Sequence, residues 1–404
     1  MQLKYSIEKQ RRFDWFSLVT AEYGISSLGH FAVMAILSLY FMHTLNIPTA
    51  QAGGLLLFAS LCYRLPRIVL SPLIDRFPIH QVIFMSLFLT SLGYLGMAMI
   101  RTPYLVMMLL LVVGTGHGTN GLLVKTLAAH SSSSHKPGKS LHLRYASLST
   151  AVNLASAVGS VVATTLLTHG SSSGVFLLAA IMYGLSGMIS MLLPSKELTQ
   201  PQRPNWRTGL RLSLKLPALW RVMLFTFLFW FLLTQLFSSL PLFVSTALHR
   251  SELLGSVFGL NAVLVIAGML PLSKIIMHLR LPIARLVLLG FLSFAVGFAL
   301  LCFFPYWQVV YIAVVFWTLG ELLLSPTLDT LVAEGAIFEH KHIAFTLNTI
   351  AIGLGEAIGN FVGVLLTGWL IRYGDISNFY ALFTLVGIAA MFVAMLVLAY
   401  CSPE

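Results

Sequence analysis

The sequence predicts an all-α integral membrane protein with twelve transmembrane helices in two six-helix pseudo-repeat halves. Three observations predict it: a composition no soluble domain carries, apolar runs of membrane-spanning length, and segments that recur about 200 residues apart. Apolar residues make up 58% of the 404-residue chain and charged residues 9%, against about 45–50% and about 25% in soluble domains. So little charge cannot clothe a water-facing surface of that size.

The apolar runs lie at about 15–42, 51–74, 80–100, 104–128, 144–168, 174–193, 218–247, 253–277, 283–304, 306–333, 342–371 and 377–400, here called spans 1 to 12. Each is long enough to cross about 30 Å of hydrocarbon as a helix. Period-2 alternation is absent, which argues against an outer-membrane barrel. The first run is too long for a signal peptide, and no small-residue cleavage site follows it. The cysteines (Cys62, Cys302, Cys401) lie in or at the end of apolar runs and form no disulfide framework or metal motif. The net charge of +11 reads as orientation rather than nucleic-acid binding. With the N-terminus inside, eighteen of the 24 Lys and Arg fall on the cytoplasmic side, and only Arg101, Arg250 and Arg372 fall outside. This is the positive-inside pattern and places both termini in the cytoplasm of an inner membrane.

Residues 194–217, "PSKELTQPQRPNWRTGLRLSLKLP", follow the sixth span. They read as a cytoplasmic linker between an N-terminal half, 1–193, and a C-terminal half, 218–404. Within them "WRTGLRLSLKL" is either an amphipathic helix on the inner membrane surface or a solvated connector. The halves resemble each other. "NLASAVGSVVA" (153–163) lies over "GLGEAIGNFVG" (353–363) at an offset of 200, and "GHGTNGLLVKTLAA" (116–129) over "GELLLSPTLDTLVA" (320–333) at an offset of 204. Duplicated halves are typical of transporters with a site near the bilayer midplane between the repeats.

The loop "SPLIDRFPIH" (71–80) resembles the G-x-x-x-D-R-x-G-R-[RK] loop between helices 2 and 3 of the major facilitator superfamily. Almost the whole chain resembles the twelve-helix drug/proton antiporter branch of that superfamily. Asp75 and Arg76 match; Ser71, Pro78, Ile79 and His80 stand where the family has two glycines and a basic pair. The branch's glycine-rich helix 5 motif is matched in part, with Gly159–Ser160 in place of Gly-Pro, and "GELLLSPTLDTLVAE" is similar to a stretch common in helix 10 of such exporters. The resemblance implies that helices 1, 4, 7 and 10 surround a cavity, that 3, 6, 9 and 12 face lipid, and that Asp75 and Arg76 gate the cytoplasmic side.

Intramembrane charges follow that arrangement: Glu22 in span 1, Arg64 and Arg67 in span 2, Lys125 in span 4, Glu321 and Asp329 in span 10, Glu356 in span 11, and none in the interiors of spans 3, 6, 9 and 12. Charges cannot face lipid cheaply, so they mark the helices that enclose water. Arg64 lies eleven residues before Asp75, hence roughly 16 Å deep, near the midplane. Two readings stay open for the arginines. They pair internally with Glu321 or Glu356, or they bind an anionic substrate through the planar guanidinium fork. Lys125 and Asp329 are equivalent under the repeat and form a candidate intramembrane charge pair. Glu321 and Glu356 are candidates for proton coupling, since a carboxyl in a poorly solvated cavity can load and unload a proton at working pH. Glu22 is a further candidate, or else a charge at the cytoplasmic mouth. His117 reads as a hydrogen-bonded packing residue. The aromatic run "FTFLFWFLLTQLF" (225–237) reads mainly as lipid contact, with Trp230 and Gln235 as candidates to face a substrate. The histidines of "HSSSSHKPGKSLH" (130–142) read as a solvated loop, not a metal site.

The expected function is a proton-coupled secondary transporter, not an enzyme, exporting a small organic molecule by antiport. A drug is the family's default and an anionic metabolite is what the arginines favour, with a dedicated exporter of a polycarboxylate siderophore as one alternative. A rival of another class is a non-transporting membrane sensor or scaffold with the transporter fold. No G-x-x-x-x-G-K-[ST] loop is present, so ATP is not the direct driver. The expected partners are a small-molecule substrate, protons and the lipid bilayer, with no nucleic acid, and the protein is expected to act as a monomer without cofactor or metal.

Overall fold

The computed structural model describes residues 15–47, 55, 58–59, 61–64, 70, 77–130, 137–168, 172–193, 206–250, 253–337 and 340–399. Every regular element among them is helical. Helix α1 is Trp15–Leu39 and widens into a π-turn at Tyr40–Thr44. Then come α2 (Ile79–Met99), α3 (Pro103–His130), α4 (Pro137–Thr168), α5 (Ser172–Ser190) and the short α6 (Trp206–Ser213). Helices α7 (Pro217–Leu233), α8 (Leu254–Leu279), α9 (Ile283–Phe303), α10 (Trp307–Gly335), α11 (Lys341–Tyr373) and α12 (Ser377–Ala399) follow. Proline opens α3, α4 and α7, the one helical position where its missing N–H breaks no bond and its fixed φ helps. Before α12, the Asp375 carboxylate accepts the Ser377 N–H at 3.0 Å, and that bond holds its carboxyl below the usual carboxylate range.

Ten of these helices are long and apolar enough to cross a membrane: α2 to α5 and α7 to α12. Helix α1 covers the expected span 1, and in span 2 the described residues 61–64 are helical. Helix side chains stand bare on the protein surface, among them Val161 (67% exposed), Met188 (65%) and Leu385 (65%). Apolar exposure on that scale, repeated helix after helix, fits a hydrocarbon surrounding.

The chain forms two compact units: Met1–Ser131 with Val158–Pro201, and Ser132–Ala157 with Gln202–Glu404. Helix α4 therefore contributes to both. Its first part belongs to the second unit, where Tyr145 packs on Phe345 and Ala146 joins Val265, Met269 and Leu322. Its last part belongs to the first, where Gly159 lies on the Leu28 carbonyl. In the first unit α2 is tied to α5 by the Ser91 hydroxyl donating to the Ala180 carbonyl at 2.7 Å.

The core of the second unit is aromatic. Phe225 and Phe229 of α7 meet Phe291, Phe294 and Phe298 of α9, Trp317 of α10 and Phe379, Tyr380 and Phe383 of α12. The aromatic run of α7 is thus largely helix–helix core, not lipid contact; of its rings, Phe237 is the strongly exposed one, at 58%. The reason is geometric. Lipid is as apolar as phenylalanine, so burial decides nothing between the two, and close packing of large rings does. Helix α6 is the amphipathic helix of the first sequence reading. Its buried positions, Gly209 and Ser213, lie one turn apart, and Gly209 lets it settle on His340 and Ile343 at the start of α11.

Candidate functional site

In the second unit α11 packs on α7 through a ridge of small residues. Gly355, Gly359 and Gly363 recur every fourth position and so share one helix face. At Gly355 an added Cβ would strike the Phe227 carbonyl oxygen, and at Gly359 it would stand 2.8 Å from the Phe231 carbonyl oxygen. Small-xxx-small spacing is what lets two backbones approach inside a membrane. Gln235 lies under this ridge and is fully buried. Its Nε2 donates to the Phe231 carbonyl at 2.8 Å and the Gly359 carbonyl at 2.9 Å, and its Oε1 accepts from the Ser239 hydroxyl. The amide named from sequence as a substrate candidate is therefore engaged in holding α7 to α11. Trp230 is half-buried on the same helix, edge-on to Phe229 at 5.8 Å. Glu356 follows Gly355 on α11 and is half-buried.

Glu321, on α10, is met from α8. The Asn261 Nδ2 donates to the Thr318 hydroxyl at 2.9 Å and to Glu321 Oε2 at 3.4 Å. In the first unit Glu22 is 1% exposed. Asn120 Nδ2 of α3 donates to Glu22 Oε1 at 2.8 Å, and the Ser186 hydroxyl of α5 donates to the Glu22 carbonyl at 3.0 Å. Each unit thus carries a carboxyl held by an asparagine amide from a neighbouring helix. Neither asparagine was singled out from the sequence. Neither carries a formal charge; the signal each gives in sequence is a neutral amide inside a hydrocarbon run, "GTNGLL" and "FGLNAV".

The first unit also gathers aromatic and imidazole groups. His30 of α1 stacks on His117 of α3, ring centroids 3.9 Å apart and planes within 10°. His117 Nδ1 lies 2.6 Å from the Tyr183 hydroxyl. Tyr63 stands edge-on to both imidazoles, at 4.8 and 5.6 Å, and its hydroxyl is 3.5 Å from that of Tyr94. His117 is hydrogen-bonded, as its sequence reading has it. His30, Tyr63, Tyr94 and Tyr183 could not be placed beside it without the fold.

Arg64 is half-buried at the end of the described stretch 61–64. Lys125 of α3 and Asp329 of α10 are half-buried and belong to different units. Arg67, Asp75 and Arg76 lie outside the described residues. A groove of about 400 Å³ in the first unit is lined by apolar residues such as Phe77 and Met85, with Gln81, Ser86, Thr115 and Thr119 as polar members. Among the described residues its lining holds no ionisable group.

Residues 21–360 match the family model of the Major Facilitator Superfamily. The chain belongs to that superfamily, whose members are membrane transporters. Among solved structures it is similar to the human organic anion transporter MFSD10 (TETRAN), at 16% identity over 94% of this chain and 98% of that one, with a TM-score of 0.75. It is similar also to FucP, a major facilitator transporter in the outward conformation (15% identity, 95% and 98%, TM-score 0.74). A bacterial homologue of the iron transporter ferroportin in the outward-facing state is a third (15%, 95% and 98%, TM-score 0.75). At such identities the likeness is one of fold. Among curated protein sequences none matches the chain significantly.

Proposed function

We propose that this protein is a proton-coupled secondary transporter that exports a small organic anion. The observation that carries the reading is the pair of carboxyl–asparagine contacts, Glu22–Asn120 and Glu321–Asn261. Among the described residues neither carboxyl is bonded to a cation. Closing an ionised carboxylate away from water costs far more than closing in the neutral acid. Alternating contact with water and closure therefore moves a proton on and off such a group. Glu321, Glu22 and Glu356 are the proposed proton carriers, Arg64 and Arg67 the proposed anion contacts, and Trp230 a ring for the substrate to stack on. Gln235 contributes by fixing the α7–α11 spacing. Asp75 and Arg76 are the proposed gate, and Lys125 with Asp329 a proposed charge pair. Outward direction rests on the resemblance to drug/proton antiporters. The substrate class rests on the arginines, and the similar fold of a human organic anion transporter agrees with it.

The test is flux in proteoliposomes under an imposed pH gradient, with a panel that includes a polycarboxylate siderophore, simple dicarboxylates and lipophilic cations. Gradient-driven movement of an anion is expected in the wild type. Glu321→Gln should abolish it while binding persists, because the amide mimics the protonated acid. Wild-type rates in Glu22→Gln, Glu321→Gln and Glu356→Gln would sink proton coupling through these groups. Absence of flux for every compound would favour a sensor or scaffold.

A further inference from the structure

The His30–His117 stack is not needed by the carboxyl reading, yet its geometry is specific. Two imidazoles 3.9 Å apart and nearly coplanar in orientation cannot both carry a charge cheaply. At an effective dielectric constant near 20, the repulsion penalises a second proton by roughly a thousandfold. A single charge is different. A single imidazolium lying on a neutral ring meets no such repulsion. The hydrogen bond at His117 tolerates either state. The Tyr183 hydroxyl donates to Nδ1 of the neutral ring, and its oxygen accepts from Nδ1–H of the protonated ring, at the same 2.6 Å. Both imidazoles are half-buried, whereas Tyr183 and Tyr94 beneath them are fully buried. The proton that the unit takes up comes from water.

We propose that His30 and His117 form one proton-binding unit that takes up a single shared proton, distinct from the carboxyl sites. Among the described residues the titratable groups around it are Tyr63 from span 2, Tyr94 from α2, Tyr183 from α5, and Glu22 and Tyr23 about two turns earlier on α1. Asn120, which holds Glu22, lies one turn from His117 on α3, and Ser186 lies one turn from Tyr183 on α5. The histidine pair and Glu22 therefore share two helix faces, so charge arriving on one acts on the other. At the offset of 204 in the sequence, His117 occupies the position of Glu321. As a contributor to proton-coupled transport the pair rests on the function proposed above; as a proton-binding site it does not.

The test is a proton count on the full-length protein in detergent, with ¹³C/¹⁵N-labelled histidines followed by NMR from pH 5 to 9. His30→Asn and His117→Asn assign the signals by difference. The two wild-type signals should move together and account for one proton in total. In either single variant the remaining imidazole should titrate alone, with a changed midpoint. Tyr183→Phe should alter the tautomer at His117 Nδ1 and leave the count at one. A count of two with midpoints less than one pH unit apart overturns the proposal, as does a count of zero. One proton whose midpoint is unchanged in both histidine variants also overturns it. If a histidine variant fails to fold, the wild-type count and the Tyr183→Phe tautomer remain decisive. No substrate is involved, so the outcome is separate from that of the flux experiment.

Discussion

Asn120→Ala removes the amide that meets Glu22 inside the first unit. The contact is 2.8 Å long, Glu22 is 1% exposed, and its other oxygen, Oε2, has no partner among the described residues. The truncation therefore takes from a buried carboxyl the short bond to its Oε1 and leaves Ser26, one turn along α1, as its polar neighbour. Leaving a buried polar group unsatisfied costs about 1–3 kcal/mol, beyond the modest net worth of the bond itself. Glu22→Gln is a different perturbation. It keeps the shape, and its Oε1 can still accept from Asn120, so its cost should stay under about 1 kcal/mol. The double variant should cost no more than Asn120→Ala alone, because the group that was stranded is now less costly to strand. That is a coupling of about 1 kcal/mol between the positions. Thermal unfolding of the four proteins in one detergent reads the cycle, and Asn120→Ala should lower the midpoint by a few degrees. Additive shifts, or an Asn120→Ala protein as stable as the wild type, would show that the contact does not hold Glu22 and would remove its half of the functional argument.

Gly359→Ala should destabilise the protein by about 1–3 kcal/mol, since backbone atoms that cannot yield stand 2.8 and 3.0 Å from the new Cβ. Gly368→Ala, with nothing within 4 Å, should be neutral or stabilising by up to about 1 kcal/mol; equal shifts of the two midpoints would refute the close α7–α11 seam. For Arg64, Lys keeps the charge and loses the planar fork. Arg64→Lys should thus weaken binding of a carboxylate ligand at least tenfold while the protein still inserts and folds, and Arg64→Ala should abolish it. If both variants instead lose stability, and neutralising Glu321 or Glu356 restores both stability and transport, the arginine is a structural partner and not an anion contact.

Composition and hydrophobic run length by themselves determined that this is a helical membrane protein, because hydrocarbon admits only backbones that satisfy their own hydrogen bonds. The sequence also singled out Glu22, Glu321 and Glu356 by cost alone, since a charge in a hydrocarbon run needs an explanation wherever the chain goes. What holds those groups was decided by tertiary structure. Asn120 is 98 residues from Glu22, and Asn261 is 60 from Glu321. A neutral amide in an apolar run carries no sign of which helix it will meet. Gln235 shows the same limit from the other side: in sequence it is one polar residue among aromatics, and only the approach of Gly359 turns its amide into a clamp. The stack of His30 on His117 lies furthest from sequence. Its consequence depends on 3.9 Å between two rings, a distance set by helix packing and by no pattern along the chain.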